Sequence, residues 1–206
     1  MEVVNYFIAM ERYALGDLEL LHQLSRDAEQ KEVRPYTTSS TTTYESTYPT
    51  GSYSAIPQVP ICRATIPFTL MIFSCMDILG YLVRLEGRHT DTTANIIAFF
   101  EKMKIKPSAD ELSCLITLYR HGLAHNYFPK LGQSISYHSK NPDSLFLKSE
   151  NDGQIILNVN KLESLFLEGF TAIKEGSTEL YFSMEKRFQG LTNHYNERET
   201  CKLINP

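Results

Sequence analysis

The sequence predicts a mainly α fold: a helical bundle of four to five helices with a small β-hairpin near the C-terminal half. Three observations carry this reading. Apolar residues recur at helical spacing through most of the chain, and one run, Ile66 to Val83, is apolar nearly all round. The period falls from 3.6 to 2 only after Gly132, over a short stretch. With 206 residues, the chain is long enough for one domain, 1–206, with a real core.

Residues 3–32 form the first helix, on Val4, Phe7, Ile8, Leu15, Leu18, Leu21 and Leu24, with Gly16-Asp17 placed to interrupt it. Residues 36–60 are rich in Thr, Ser, Tyr, Pro and Gly and hold no apolar period. They read as an excursion loop, either a flexible insertion or a lid or partner-binding arm whose tyrosines stack on bases. The second helix, Pro67 to Leu85, is the innermost member of the bundle, which makes its Asp77 a buried carboxylate in need of a partner. A third helix spans Thr92 to Lys104, with Thr90 or Asp91 placed to cap it and Lys106-Pro107 to end it.

Ser108 and Glu111 have the spacing of a capping box for a fourth helix. Its apolar stripe is Leu112, Leu115, Ile116, Tyr119 and Leu123, and Pro129 and Gly132 stop it. Residues 134–159 are read as a β-hairpin insertion: SISYHS, SLFLKS and QIILNV are strand-like, and the last two pair across a turn holding Asp152-Gly153. Asn160 is placed to cap the last helix, Lys161 to Phe188, whose stripe is Leu162, Leu165, Phe166, Phe170, Ile173, Leu180, Met184 and Phe188. Gly176-Ser177 offers a point for a kink, and residues 190–206 form a polar tail.

A net charge of −4 argues against an unspecific nucleic-acid binder but leaves room for a local basic site. Cys62, Cys75, Cys114 and Cys201 form no C-x-x-C pair and no metal spacing, so they read as buried or free thiols of a reducing, cytoplasmic setting. The N-terminal stretch carries acidic residues where a signal peptide needs positive ones. Asp77 near the middle of the Ile66–Val83 run would cost roughly 2.5–3.5 kcal/mol in a bilayer, so that run is expected to be a core helix and no membrane partner is expected. Walker, dinucleotide and G-x-S-x-G patterns are absent, and no cofactor is expected.

The chemistry concentrates on the fourth helix. Arg120, His121 and His125 crowd beside its apolar stripe, where such groups cost folding energy unless paired or facing a cleft. His121 and His125, four apart, share a face. Arg120 and His125 lie about 140° apart on a straight helix at 100° per residue. To act on one small group they need the helix to relax near Gly122, or a second copy to supply the other half across a two-fold axis. Two bland readings compete. Arg120 pairs with Asp77 as a structural staple, or the two histidines and a carboxylate hold zinc, although the H-E-x-x-H glutamate and a third His or Cys are missing.

R-H-G-L-A-H at Arg120 to His125, followed by N-Y-F-P-K, resembles the R-x4-6-H motif of HEPN domains, in which a polar residue, here His121, typically follows the arginine. The same pattern recurs at Arg84 to His89 and Arg187 to His194. The first runs off a helix end through Gly87 and the second into the polar tail, so Arg120 to His125 is preferred. The resemblance implies a homodimer with a composite site and metal-independent RNA cleavage, as in a toxin or defence ribonuclease with an antitoxin protein as partner, or else binding of RNA or a nucleotide. On that reading His125 moves protons and Arg120 grips the phosphate. His121 is a supporting donor, Lys130 a phosphate contact, and Asp77 orients Arg120 or His125. The alternative is a non-catalytic helical interaction module in which Arg120 and Asp77 form a structural pair.

Overall fold

A computed structural model of the chain describes residues 3–30, 65–126, 129–130, 133–136, 143–148 and 153–196. The excursion expected at 36–60 lies outside the described residues, as does the chain beyond Asn196. The fold is mainly α, with 6 continuous helical runs and a small sheet in the C-terminal half.

Helix α1 (Val3–Ala9) passes through a π-helical turn (Met10–Ala14) into α2 (Leu15–Gln30). The irregularity expected at Gly16-Asp17 therefore falls just before it, and Gly16 sits inside α2 with open space beside it. Val3, Phe7, Met10 and Leu18 are the buried face, whereas Val4, Ile8 and Leu24 of the expected stripe point outward. The wide π turn shifts the helical phase between Met10 and Leu18, which a reading at constant period misses.

Helix α3 (Thr65–Val83) is the centre of the bundle, as its composition predicts. It packs on α2, α4 (Thr92–Phe100), α7 (Val159–Lys174) and α8 (Thr178–Asn196). Phe68, Ile72, Met76, Leu79 and Leu82 on it are wholly inaccessible. By length and composition it is the one helix among the described residues that could cross a membrane, yet 56% of that apolar window is buried within the protein, so packing accounts for much of its apolarity. It crosses α4 at Gly80, where a Cβ would lie 1.7 Å from the Asn95 carbonyl oxygen. Helix α4 ends at Phe100 rather than Lys104. The Lys102 and Met103 amides turn back to Phe99 O and Phe100 O (3.2 and 3.1 Å), which tucks Met103 into the core.

Helix α5 (Ala109–Cys114) begins with the expected capping box: Ser108 Oγ accepts from the Glu111 amide (3.2 Å), and Glu111 Oε2 accepts from the Ser108 amide (2.8 Å). A π-helical segment (Leu115–Arg120) carries it into α6 (His121–Asn126). Strands β1 (Ser134–Ser136), β2 (Phe146–Lys148) and β3 (Ile155–Asn158) form a sheet in the order β1-β3-β2. The expected hairpin is there, β2 antiparallel to β3 with Phe146 opposite Leu157, and Gly153 adopts φ +69° just before β3. The third strand, β1, joins β3 in parallel.

Asn158, not Asn160, caps α7: its side chain accepts from the Lys161 amide and donates to Ser144 O (2.9 Å). The single long helix expected over Lys161 to Phe188 is two. The Glu175 and Gly176 amides turn back to Thr171 O and Ile173 O (2.9 and 3.1 Å), and Ser177 Oγ then accepts from the Leu180 amide (3.3 Å) to start α8. Helix α8 continues through Gly190 to Asn196, into the expected tail. It closes the bundle on both sides. The Val3 amide donates to Glu185 Oε2 (2.6 Å). Arg187 donates to Tyr81 O (2.7 Å), Leu85 O (3.3 Å) and Gly87 O (3.1 Å) at the end of α3, with its guanidinium 4.2 Å from the centre of the Tyr81 ring.

Candidate functional site

The segment that carries Arg120, His121 and His125 is held from behind by Tyr119. That ring is wholly buried and stacks on Phe146 of β2 (centroids 5.7 Å apart), and its hydroxyl donates to Ile155 O of β3 at 2.7 Å. Burial pushes the phenol far above its usual range, so it stays a donor. Leu115, Ile116 and Leu123 are buried on the same side, and Leu112 is half-buried against the core. The helix does relax, but upstream of Gly122: the His121 amide reaches back to Ile116 O, the wider π spacing.

The outer side is basic. Arg120 and His121 are half-buried, and His125 and Lys130 are exposed. Arg120 NH1 donates to His121 Nδ1 at 3.4 Å, which needs an unprotonated ring nitrogen. The His121 and His125 rings lie parallel, centroids 6.1 Å apart and 7° between planes, as the four-residue spacing predicts. Desolvation, then the charges of Arg120, Lys130 and His125, hold the His121 pKa below its ordinary value. Arg120 and Lys130 thus set positive charge beside one imidazole biased to the neutral form, with the His125 ring parallel to it. No protein family model, curated protein or solved structure matches this chain.

Asp77 does not belong to this cluster, contrary to expectation. Its Oδ1 accepts from Asn95 Nδ2 (2.8 Å) across the α3–α4 crossing, and no hydrogen bond or ion pair joins it to Arg120 or His125. The structural pair Arg120–Asp77 is accordingly not formed. The close approach at Gly80 explains the exchange, since it brings wholly buried Asn95 onto the α3 face that carries Asp77. Among the described residues, no carboxylate pairs with any of the four basic side chains, and no group of three His, Cys, Asp or Glu could hold a metal ion.

The other two R-x-H matches are engaged elsewhere. Arg84 donates to Asn95 Oδ1 (2.7 Å) and Asp91 Oδ2 (3.4 Å), and Arg187 to the three carbonyls at the end of α3. Asp91 stands at the N-cap of α4, but its side chain goes to Arg84 rather than capping the helix. Cys75 is buried, which pushes its thiol up to about 11 and leaves it a poor nucleophile. The residue that sequence reasoning missed is Asn95, whose only signal is a lone polar side chain within TTANIIAFF.

Proposed function

We propose that this chain is a HEPN-like protein of the cytoplasm that acts on RNA, without a metal, through the Arg120–His125 helix of a homodimer. The observation that carries the reading is the basic cluster where the π segment meets α6, with no carboxylate partner among the described residues: the half-buried Arg120 touches His121, a histidine biased to the neutral form, with His125 parallel to it. In-line cleavage of RNA asks for these groups. A neutral imidazole takes the proton of the 2′-OH, whose oxygen attacks phosphorus. The bond from phosphorus to the 5′-oxygen breaks, and a second imidazole returns a proton to that leaving oxygen. The products are a 2′,3′-cyclic phosphate and a 5′-hydroxyl. Arg120 grips the phosphate oxygens, where charge grows in the transition state, with a fixed fork of donors. His125 carries proton transfer, His121 supports it, and Lys130 extends the positive surface to a neighbouring phosphate. A second copy across a two-fold axis brings the other Arg120 and His125 to the same phosphate.

One observation favours binding without cleavage. No carboxylate orients either histidine among the described residues, and catalytic imidazoles are commonly fixed by such a partner. Incubation of a mixed RNA pool with the purified chain in EDTA separates the two. Cleavage leaving 2′,3′-cyclic phosphate ends, lost in a folded His125→Ala variant, is the expected result. If neither protein cuts while both shift RNA in a gel, and Arg120→Ala does not, the site is a binding site only. Failure to cut and to bind removes the RNA reading.

A further inference from the structure

The bundle carries a second polar site that contains none of the α6 side chains. A cleft of about 340 Å³ opens between α3, the α3–α4 connection and α8, lined by Ser74, Asp77, Ile78, His89, Thr92 and Leu191, among others. Small-molecule sites begin near about 300 Å³.

Among the described residues Asp77 is its one carboxylate, half-buried, and no cationic side chain pairs with it. The hydrogen bond it receives is from Asn95 Nδ2, a neutral donor, at 2.8 Å. Arg84, the guanidinium of the same network, is turned to Asn95 Oδ1 and Asp91, and Arg187 to backbone carbonyls. A carboxylate accepts at both oxygens, so Oδ2 is left for a ligand. Partial burial without a counter-charge makes an incoming cation the favourable partner.

Asn95 also fixes the shape of the cleft. It is wholly buried, and every polar atom of its amide is engaged. Nδ2 donates to Asp77 Oδ1 and to His89 O (3.1 Å), and Oδ1 accepts from Arg84. One amide thus ties the α3 wall to the connecting loop before any ligand arrives, which lowers the ordering cost of binding. Ser74 donates its hydroxyl hydrogen to Leu70 O at 2.9 Å, so it offers the cleft only oxygen lone pairs. Ile78 and Leu191 supply apolar wall.

We propose that this cleft binds a small organic ammonium ion, a primary amine on a short aliphatic chain. Its N–H groups go to Asp77 Oδ2 and Ser74 Oγ, and its methylenes lie on Ile78 and Leu191. The proposal stands apart from RNA cleavage, since it uses none of the α6 residues.

The test is titration of the full chain with 1-aminobutane, followed by 1H–15N NMR. Saturable single-site shifts at the Ser74, His89 and Thr92 amides are expected, with 1-butanol, which lacks the charge, at least tenfold weaker. Asp77→Asn keeps an acceptor for Asn95 and removes the charge, and should weaken binding at least tenfold in a protein of unchanged spectrum. Should that variant not fold, Ser74→Lys serves instead. It sits at an exposed position one turn before Asp77, and its own ammonium would occupy the carboxylate and exclude the added amine. Equal affinity in folded Asp77→Asn or in Ser74→Lys, or non-saturating shifts scattered over the acidic surface, overturns the proposal.

Discussion

His121 is the residue whose environment has the clearest consequence in solution. Its pKa is held down by desolvation first and by Arg120 and Lys130 next, so removing a charge should raise it. Arg120→Gln is expected to move the His121 midpoint upward, and Lys130→Gln to move it by less, as followed by the ring proton shift through a pH titration. The linkage has a definite sign. The unfolded chain takes up this proton near the ordinary value of 6.5, before the folded chain does. The His121 contribution therefore destabilises the fold as pH falls through 6.5 and levels off below the lowered folded value. Urea unfolding of the wild type and of His121→Gln at pH 7.5 and 5.5 should show a larger loss in the wild type; equal losses would remove this account. The grouping of Arg120, His121 and His125 was legible in the sequence, because neighbours on one helix are set by local spacing. The partner of Asp77 was not. Whether this half-buried carboxylate meets Arg120 or Asn95 depends on how two helices cross, and that is decided at Gly80.

Among the elements, the α3–α4 crossing is the most sensitive joint. A methyl at Gly80 would sit 1.7 Å from the Asn95 carbonyl oxygen, a backbone atom that cannot turn aside. Gly80→Ala is thus expected to cost at least about 3 kcal/mol, the upper end for overpacking. It should also loosen the Asn95 hydrogen bonds to Asp77 and His89 by pushing α4 outward. A urea midpoint within error of the wild type would contradict this crossing. The elements that could be read beforehand are those written in short-range spacing: the Ser108–Glu111 box, the hairpin and the apolar run of α3. The π segments at Met10–Ala14 and Leu115–Arg120 left no such mark, since a widened turn changes phase and not composition. The break at Glu175–Ser177 was visible as Gly176-Ser177. Its depth was not, because Ile173 and Met184, eleven residues apart, fall on one face of a straight helix as well as of two, so the buried stripe carries no mark of the break.

At the scale of the whole molecule, α3 is touched by α2, α4, α7 and α8 and holds most of the wholly buried side chains named above. Its backbone amides, with those of α4 and α7, should be the last to exchange with deuterium, while those of α6 and of the three short strands exchange early. Exchange of α3 as fast as α6 would mean that the bundle has another centre. The ties made by α8 also set a timetable for the growing chain. The Val3 amide finds its acceptor at Glu185, 182 residues later, and the end of α3 waits for Arg187. At about 5–20 residues per second of synthesis, the ribosome reaches Glu185 on the order of ten seconds or more after Val3. Until then the hydrophobic run of α3 lacks one of its covers, and it is the stretch of this chain most in need of a chaperone while translation proceeds.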